Sequence, residues 1–388
     1  MKTNNEYHVT YVGTNNFPKG LATVQRQTLI AKGLITNEVQ CIVLSRFNTS
    51  TEKNRLGKGT IEGVEFITCS PLLYRHKSVL VRNLNKFAGF VIESLYIIRF
   101  KKKGVTNVLL STRTSFIRTC YYRVLSWLLG MIYVVDINEH LSGVRGLPIS
   151  VRLNHFLFEK SVLYLVDQLI VISEYLEKHY KSRTQKPIIK IPVICDVDFI
   201  KEVKTKSLSN EYVLYCSSAA YLESIQFTID CFKQSQIKQD LVLIISGDKK
   251  NIQRIVKYIE RLGLSDVVKV YSNLEYEKLI QMYKSAKALI LPLPETEQHE
   301  ARFPHKLGEF AASEVPVIVN DWGEVRNYFS QENAYIVPRY SVEAFAKCLR
   351  NAMEKNSVNT GARALAVATE YFDYKMIGRK VSIFFEKR

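Results

Sequence analysis

Seven cysteines in 388 residues stand at positions 41, 69, 120, 195, 216, 231 and 348, with no C-x-x-C pair and no close, even spacing. That pattern excludes a disulfide framework and a zinc knuckle, and fits reduced thiols in a cytosolic compartment. Long apolar runs are also missing. The longest apolar uncharged stretch, "VLSWLLGMIYVV" from Val124 to Val135, has twelve residues, whereas a spanning helix needs about twenty. The opening "MKTNNEYHVTYVG" holds no apolar run of signal-peptide length, so neither a leader nor a transmembrane segment is expected. There is no G-x-G-x-x-G, H-E-x-x-H, G-x-S-x-G or Walker sequence, no fixed-period repeat and no low-complexity segment. Acidic residues are in short supply: 37 Asp and Glu face 54 Lys and Arg, a net of +17. The deficit is uneven, because residues 1–200 hold 27 basic and 14 acidic side chains, a net of +13, and residues 201–388 hold 27 and 23, a net of +4. A basic half points to nucleic acid, an anionic membrane surface or a phosphorylated ligand, with a plain soluble basic surface as the alternative.

What is present is an alternation. Short β-rich runs ("HVTYVG", "VQCIVLS", "TNVLLST", "MIYVVD", "DQLIVIS", "PIIKIPV") are separated by helical stretches such as "LATVQRQTLIAKGL" and "FAGFVIESLYIIRF", with a basic, irregular loop after "VQCIVLS". The second half repeats the rhythm with "YVLYCS", "LVLIISG", "VVKVYS", "ALILPL", "VPVIVND" and "AYIVP". Strands alternating with helices of ten or more residues argue for parallel sheets covered on both faces, hence an α/β chain with two Rossmann-like domains. The polar run "DFIKEVKTKSLSNEY", Asp198 to Tyr212, reads as the linker. The expected domains are 1–200 and 201–370, with 371–388 as a last amphipathic helix packing back on the first domain.

In open α/β sheets, ligands sit outside the carboxyl ends of the strands, so the loops after strands are the places to look. The first, "VGTNNFPKGL", sets Gly20 just before a helix; a glycine there allows backbone N–H groups to approach a phosphate or sugar, and an ordinary turn is the plain alternative. After "MIYVVD" comes "DINEHLSG", which clusters Asp136, Glu139 and His140. A carboxylate and a histidine in one loop suit proton transfer; capping by Asp136 is the alternative. "DVD" at Asp196–Asp198 is read as a turn rather than a metal site. The densest cluster is "EARFPHKLGEFAASEVPVIVND", where Arg302, His305, Lys306 and Glu309 read as one short helix opening at Pro304 before a buried strand. A helix N-terminus with Lys306 and Arg302 beside it attracts phosphate. Glu309, one turn deeper on the face of Lys306, can accept both hydroxyls of a ribose. The cluster therefore reads as a clamp for a nucleoside diphosphate, against the alternative of a solvated helix face.

With these lines in hand, the chain resembles the retaining GT-B glycosyltransferases of family 4. The resemblance is carried by "LVLIISGDKKNIQRIVKYIERLGLSDVVKVYSNLEYEKLIQMYKSAKALILPLPE" and "RFPHKLGEFAASEVPVIVNDWGEV", and by "DQLIVISEYLEKHY" and "IPVICDVDFI" at the close of the first domain. It implies a GT-B fold, two Rossmann-like domains facing across a cleft, and a nucleoside diphosphate sugar as donor with no other cofactor and no metal. The family's ribose-binding glutamate falls on Glu309, and its diphosphate contacts fall on Lys306 and Arg302. The first of its paired glutamates would fall at Ala301, one place from Glu300. The usual arginine and lysine after the first strand of the donor domain are missing, and "CSSAAYLES" has Ser217 and Ser218 where glycine and a base are common.

The combined expectation is a metal-independent glycosyltransferase. It would move a sugar, with retention, to a glycan or lipid-linked acceptor in surface polysaccharide or glycolipid synthesis. Lys306, Glu300, Glu139 and His140 are the expected catalytic residues; Arg302, Lys306, Glu309, Gly20, Ser217 and Ser218 are the expected donor contacts. The protein is expected to be cytoplasmic, peripheral on the inner face of the membrane through an anionic lipid surface. No nucleic acid is expected, because the basic residues are scattered and the aromatics fall at buried periodicities. The rival readings are a GT-B nucleotide-sugar epimerase and a non-catalytic basic adaptor on a degenerate GT-B fold.

Overall fold

The structure, a computed structural model, describes residues 7–18, 20, 22–47, 57–112, 115–140, 147–205, 210–354 and 358–387. The chain forms two compact units, one of residues 1–194 with 374–388 and one of residues 195–373. It crosses between them twice, at Ile194/Cys195 and at Asp373/Tyr374, against boundaries expected from the sequence after 200 and 370.

The first unit is built on eight strands: β1 (Tyr7–Val12), β2 (Gln40–Ser45), β3 (Lys58–Ile61), β4 (Val64–Thr68), β5 (Thr106–Thr112), β6 (Ile132–Ile137), β7 (Gln168–Val171) and β8 (Ile188–Lys190). Their order is β3-β4-β2-β1-β5-β6-β7-β8, and every pairing is parallel except β3 with β4. Central strands such as β1 and β2 are buried along nearly their whole length, as expected where helices cover both faces. The β3–β4 hairpin occupies part of the stretch expected to be an irregular loop. Its turn is Glu62-Gly63, both at positive φ, the geometry of a two-residue hairpin turn.

Helices α1 (Ala22–Thr36), α2 (Val79–Phe100), α3 (Phe116–Leu129), α4 (Ile149–Leu165) and α5 (Glu174–Lys181) belong to this unit. The last helix of the chain, α14 (Tyr374–Phe384), also belongs to it and lays Ile377, Val381 and Phe384 into its core. It crosses α1 glycine on glycine. A Cβ on Gly378 would stand 2.1 Å from the Gly33 carbonyl carbon, so the two backbones meet only without side chains.

The second unit has six parallel strands: β9 (Tyr212–Ser218), β10 (Asp240–Ser246), β11 (Val268–Tyr271), β12 (Ala288–Leu291), β13 (Val317–Asn320) and β14 (Tyr335–Val337). Their order is β11-β10-β9-β12-β13-β14. Helix α6 (Val197–Glu202) opens the unit inside the stretch expected to be linker; Asp196 caps it, its carboxylate accepting from the Phe199 N–H at 3.0 Å. Residues 206–209 of that stretch lie outside the described residues. The remaining helices are α7 (Leu222–Ser235), α8 (Lys249–Arg261), α9 (Tyr276–Lys284), α10 (Glu297–Ala301), α11 (Lys306–Ala312), α12 (Val342–Glu354) and α13 (Val358–Val367). The strand order reverses about β9, which pairs with β10 on one side and β12 on the other. Loops leaving the carboxyl ends of such a pair open a crevice for a ligand.

Candidate functional site

The loop after β12 supplies most of the cluster singled out in the sequence. It does not form one helix. Thr296 caps α10, which ends at Ala301; Arg302 is extended at φ −114°, ψ 159°, and α11 begins at Lys306. Pro304 keeps the preceding Phe303 out of the helical region, so the break that begins at Arg302 is not closed before α11. Helix α11 has only seven residues, so the cationic pull at this spot comes from the Lys306 ammonium rather than from a helix dipole.

Arg302 reaches back to the loop after β9. Its Nη1 donates to the Tyr221 hydroxyl at 2.9 Å, and the guanidinium lies 5.0 Å from the Tyr221 ring centre. Its Nη2 stands 2.6 Å from Nε2 of His299. An arginine can only donate, so Nε2 accepts; the His299 proton is then on Nδ1, 2.8 Å from Oγ1 of Thr296. Burial, followed by the Arg302 charge, pushes His299 down to about 3, which keeps it neutral for that role. One basic side chain thereby ties together the two loops that border the crevice.

Glu309 is buried, 4% exposed, and accepts a 3.0 Å hydrogen bond from the Tyr276 hydroxyl. Burial and then the Glu309 charge push the Tyr276 phenol well above its usual range, so it remains a donor. Lys306 is half-buried and, like the partly exposed Glu300, makes no side-chain hydrogen bond or ion pair with the described residues. Its charge acts on the nearby Cys216 thiol, at the end of β9. Ser217 and Ser218 turn inward on their own loop: the Ser217 hydroxyl donates to the Ser218 carbonyl at 3.4 Å, and the Ser218 hydroxyl accepts from the Ala220 N–H at 3.3 Å. Tyr221, Tyr276 and His299 were not anticipated from sequence. Only Tyr221, in the loop directly after a strand, carried a positional signal.

The remaining expected residues belong to the first unit. Gly20 has a packing reason, because a Cβ there would lie 2.3 Å from Cγ2 of Val24. Asp136 does not join Glu139 and His140 in a polar loop. It is fully buried on β6 and paired with Arg26 of α1, at 2.8 Å from Nε and 3.1 Å from Nη2. His140 is buried too, with Nε2 3.5 Å from Glu159 of α4 and its ring against His155 and His179. Burial alone would raise the Glu159 carboxyl. Hydrogen bonds from His140 and His179, the His140 charge and the Tyr180 hydroxyl outweigh it and hold the group well below the usual carboxylate range. Glu139, the residue before His140, is exposed; the last three residues of "DINEHLSG" lie outside the described residues.

Residues 196–365 match the family described as glycosyl transferases group 1, a span within the second unit and short of half the chain. No curated protein matches the sequence. Among solved structures, a sucrose-phosphate synthase from Thermosynechococcus elongatus superposes with a TM-score of 0.74 at 16% identity, covering 98% of both chains. A glycosyltransferase from Rickettsia africae gives 0.69 at 14% identity over 98% of both. HepE of Anabaena, in complex with UDP and glucose, gives 0.70 at 14% identity over 98% of this chain and 99% of the other. Likenesses at this identity establish the fold, which is GT-B.

Proposed function

We propose that the protein transfers a sugar from a nucleoside diphosphate sugar to a glycan or lipid-linked acceptor, with net retention. The observation that carries this reading is the pairing, within one helix, of an uncommitted Lys306 ammonium with the buried Glu309 carboxylate, beside the crevice bordered by β9 and β12. The two are three residues apart, on one face and one turn different in depth, about 4.5 Å. A ribose on Glu309 then leaves the diphosphate at Lys306. Negative charge grows on that diphosphate as the glycosidic bond breaks, and a fixed cation there stabilises the transition state more than the ground state. Arg302 adds a second cation and holds the loop after β9. The match to glycosyl transferases group 1 covers these residues, and the Anabaena neighbour carries UDP, which supports the nucleotide class. Glu300, in the same loop as Arg302, is the carboxylate proposed to orient the sugar. Asp196, spent as a helix cap, is not required for a bridging cation.

The first unit has features suited to an anionic, partly apolar acceptor. A cavity of about 360 Å³ is lined by Arg75, His76, Arg82 and Lys86 together with Tyr74 and Val79. It adjoins the start of α2, a helix built inside out. Gly89, Glu93 and Ile97 are its buried residues, whereas Leu80, Leu84, Phe87, Val91, Leu95 and Ile98 are all exposed. Their spacing of three and four residues draws one apolar stripe from Leu80 to Ile98, about 27 Å long. Arg82 and Lys86 stand near one end and Lys101–Lys103 at the other. Such a surface suits peripheral binding to anionic lipid; no helix among the described residues is long and apolar enough to cross a membrane.

A mass-spectrometric screen of nucleotide sugars, with lipid-extract and oligosaccharide acceptors and no added Mg²⁺ or Mn²⁺, tests the proposal. The expected result is acceptor-dependent release of nucleoside diphosphate from one donor. Conversion of donor without any acceptor would favour the epimerase reading. An absolute need for added cation would return Asp196 and Asp198 to the site.

A further inference from the structure

Three of the seven histidines in the chain, His140, His155 and His179, gather around one carboxylate, Glu159, in the first unit. They come from three places: the loop after β6, helix α4 and helix α5. We propose that His140, His179 and Glu159 form a divalent-metal site, suited to Zn²⁺, that fastens the loop carrying Glu139 to α4 and α5.

The argument is geometric. Nε2 of His140 and Nε2 of His179 lie 3.5 and 3.4 Å from the same oxygen, Oε2 of Glu159. A charge-assisted N–H···O bond closes to about 2.7–2.9 Å, so both contacts are long for an ion-paired hydrogen bond. They fit a shared ion. Ligand bonds of about 2.0–2.2 Å in a tetrahedron place neighbouring ligand atoms about 3.3–3.5 Å apart. One ligand atom from each of the three residues lies within 4.8 Å of the others. Two imidazoles and a carboxylate are a borderline donor set that favours zinc over magnesium or calcium, which prefer all-oxygen shells.

The surroundings hold the ligands in place, as metal sites require. The Tyr180 hydroxyl donates to Oε1 of Glu159 at 2.9 Å and to Oε2 at 3.0 Å. The Tyr175 ring lies parallel to His179, 6.2 Å between centres. His155 is the candidate fourth ligand: its Nδ1 is 3.8 Å from Oε1 of Glu159 and its ring is 4.9 Å from His140. Arg183, 3.8 Å from Oε2, competes for the carboxylate, but its side chain is 38% exposed and can swing into solvent. This site is separate from the donor residues, so its test does not depend on the transferase reading.

The full-length chain, prepared without a histidine tag, is stripped with a chelator and titrated with Zn²⁺ against a chromophoric competitor; bound metal is counted after gel filtration. One equivalent should be retained, with a rise in thermal midpoint that saturates at that equivalent. His179→Ala, altering the most exposed of the three ligands, should weaken binding at least tenfold, whereas His76→Ala should not. Co²⁺ in place of Zn²⁺ should give the strong visible bands of a four-coordinate site, lost in Glu159→Gln. Absence of stoichiometric zinc in the parent chain, or an undiminished equivalent in a well-folded His179→Ala, would overturn the assignment and leave a cluster of ion pairs.

Discussion

Lys306 and Glu309 are three residues apart yet sit in different surroundings, and their roles should separate in kinetics. The ribose is chemically unchanged during transfer, so a contact to it acts alike in ground and transition states. Glu309→Gln keeps the group that accepts from Tyr276 but loses the charge, and should mainly raise the donor KM. Lys306→Ala removes a cation from a diphosphate that gains charge, and should mainly lower kcat. A charge-assisted contact contributes roughly 1.5–3 kcal/mol, so each effect should be on the order of ten- to a hundredfold. Steady-state kinetics on both variants, with near-parental constants in each, would remove the clamp. Arg26 and Asp136 show the opposite fate for charged residues. Both side chains are wholly buried, and Arg26 also donates to the carbonyls of Ile191 and Pro192. Arg26→Met leaves a buried carboxylate uncompensated and should cost about 3–5 kcal/mol in urea unfolding, largely recovered by Arg26→Met with Asp136→Leu. Nothing in the local sequence separates Asp136, directed into a core, from Glu139, directed out of it. Both lie at the end of one apolar run, and the position of α1 decides which finds an arginine.

At the scale of elements, α2 is the clearest instance of a pattern that reads two ways. Its apolar spacing predicts a helix with one greasy face, which is present. Periodicity says nothing about which face meets the sheet, and here the sheet side takes Gly89 and the Glu93–Arg46 ion pair. Liposome sedimentation should therefore show binding that requires anionic lipid, falls with salt and weakens when Lys101, Lys102 and Lys103 become alanine. Leu84→Glu with Phe87→Glu, both on exposed positions, should reduce it at least tenfold without lowering the thermal midpoint. Equal binding to neutral vesicles, or loss of the apolar stripe into a dimer seen by light scattering without lipid, would contradict the membrane assignment. Other elements were open to reading and went unread. "KGTIEGVEFIT" alternates about Glu62-Gly63, a hairpin signal that the surrounding basic loop obscured. In "EARFPHKLGEF", Pro304 reads as a helix start; the segment is instead split into α10, ending at Ala301, and α11, starting at Lys306, with the proline keeping Phe303 between them non-helical.

Across the whole molecule, the first unit is discontinuous in sequence: its last helix arrives after all of the second unit has been made. Gly33 and Gly378 permit that closure. Gly378→Leu would push α14 from α1 and should destabilise the first unit by more than the 1–3 kcal/mol of ordinary overpacking, because the obstacle is backbone rather than a movable side chain. Unfolding should then separate into two transitions, the lower one belonging to the first unit; a single unshifted transition would show that the crossing adjusts.

The sequence by itself determined the α/β class, the duplication of a Rossmann-like unit and the place of Lys306 and Glu309 beyond a buried strand. These follow from period, turn chemistry and the order of elements, all local properties of the chain. Tertiary structure decided the rest. It turned Asp136 and Glu93 inward, drew Tyr221 onto Arg302, and left the apolar face of α2 outside. It also brought His140, Glu159 and His179 from three separate elements onto one point. Each of these depends on which side of a helix or strand another element happens to cover. That is a matter of distance in space, and residues separated by nineteen to more than a hundred positions carry no local mark of it.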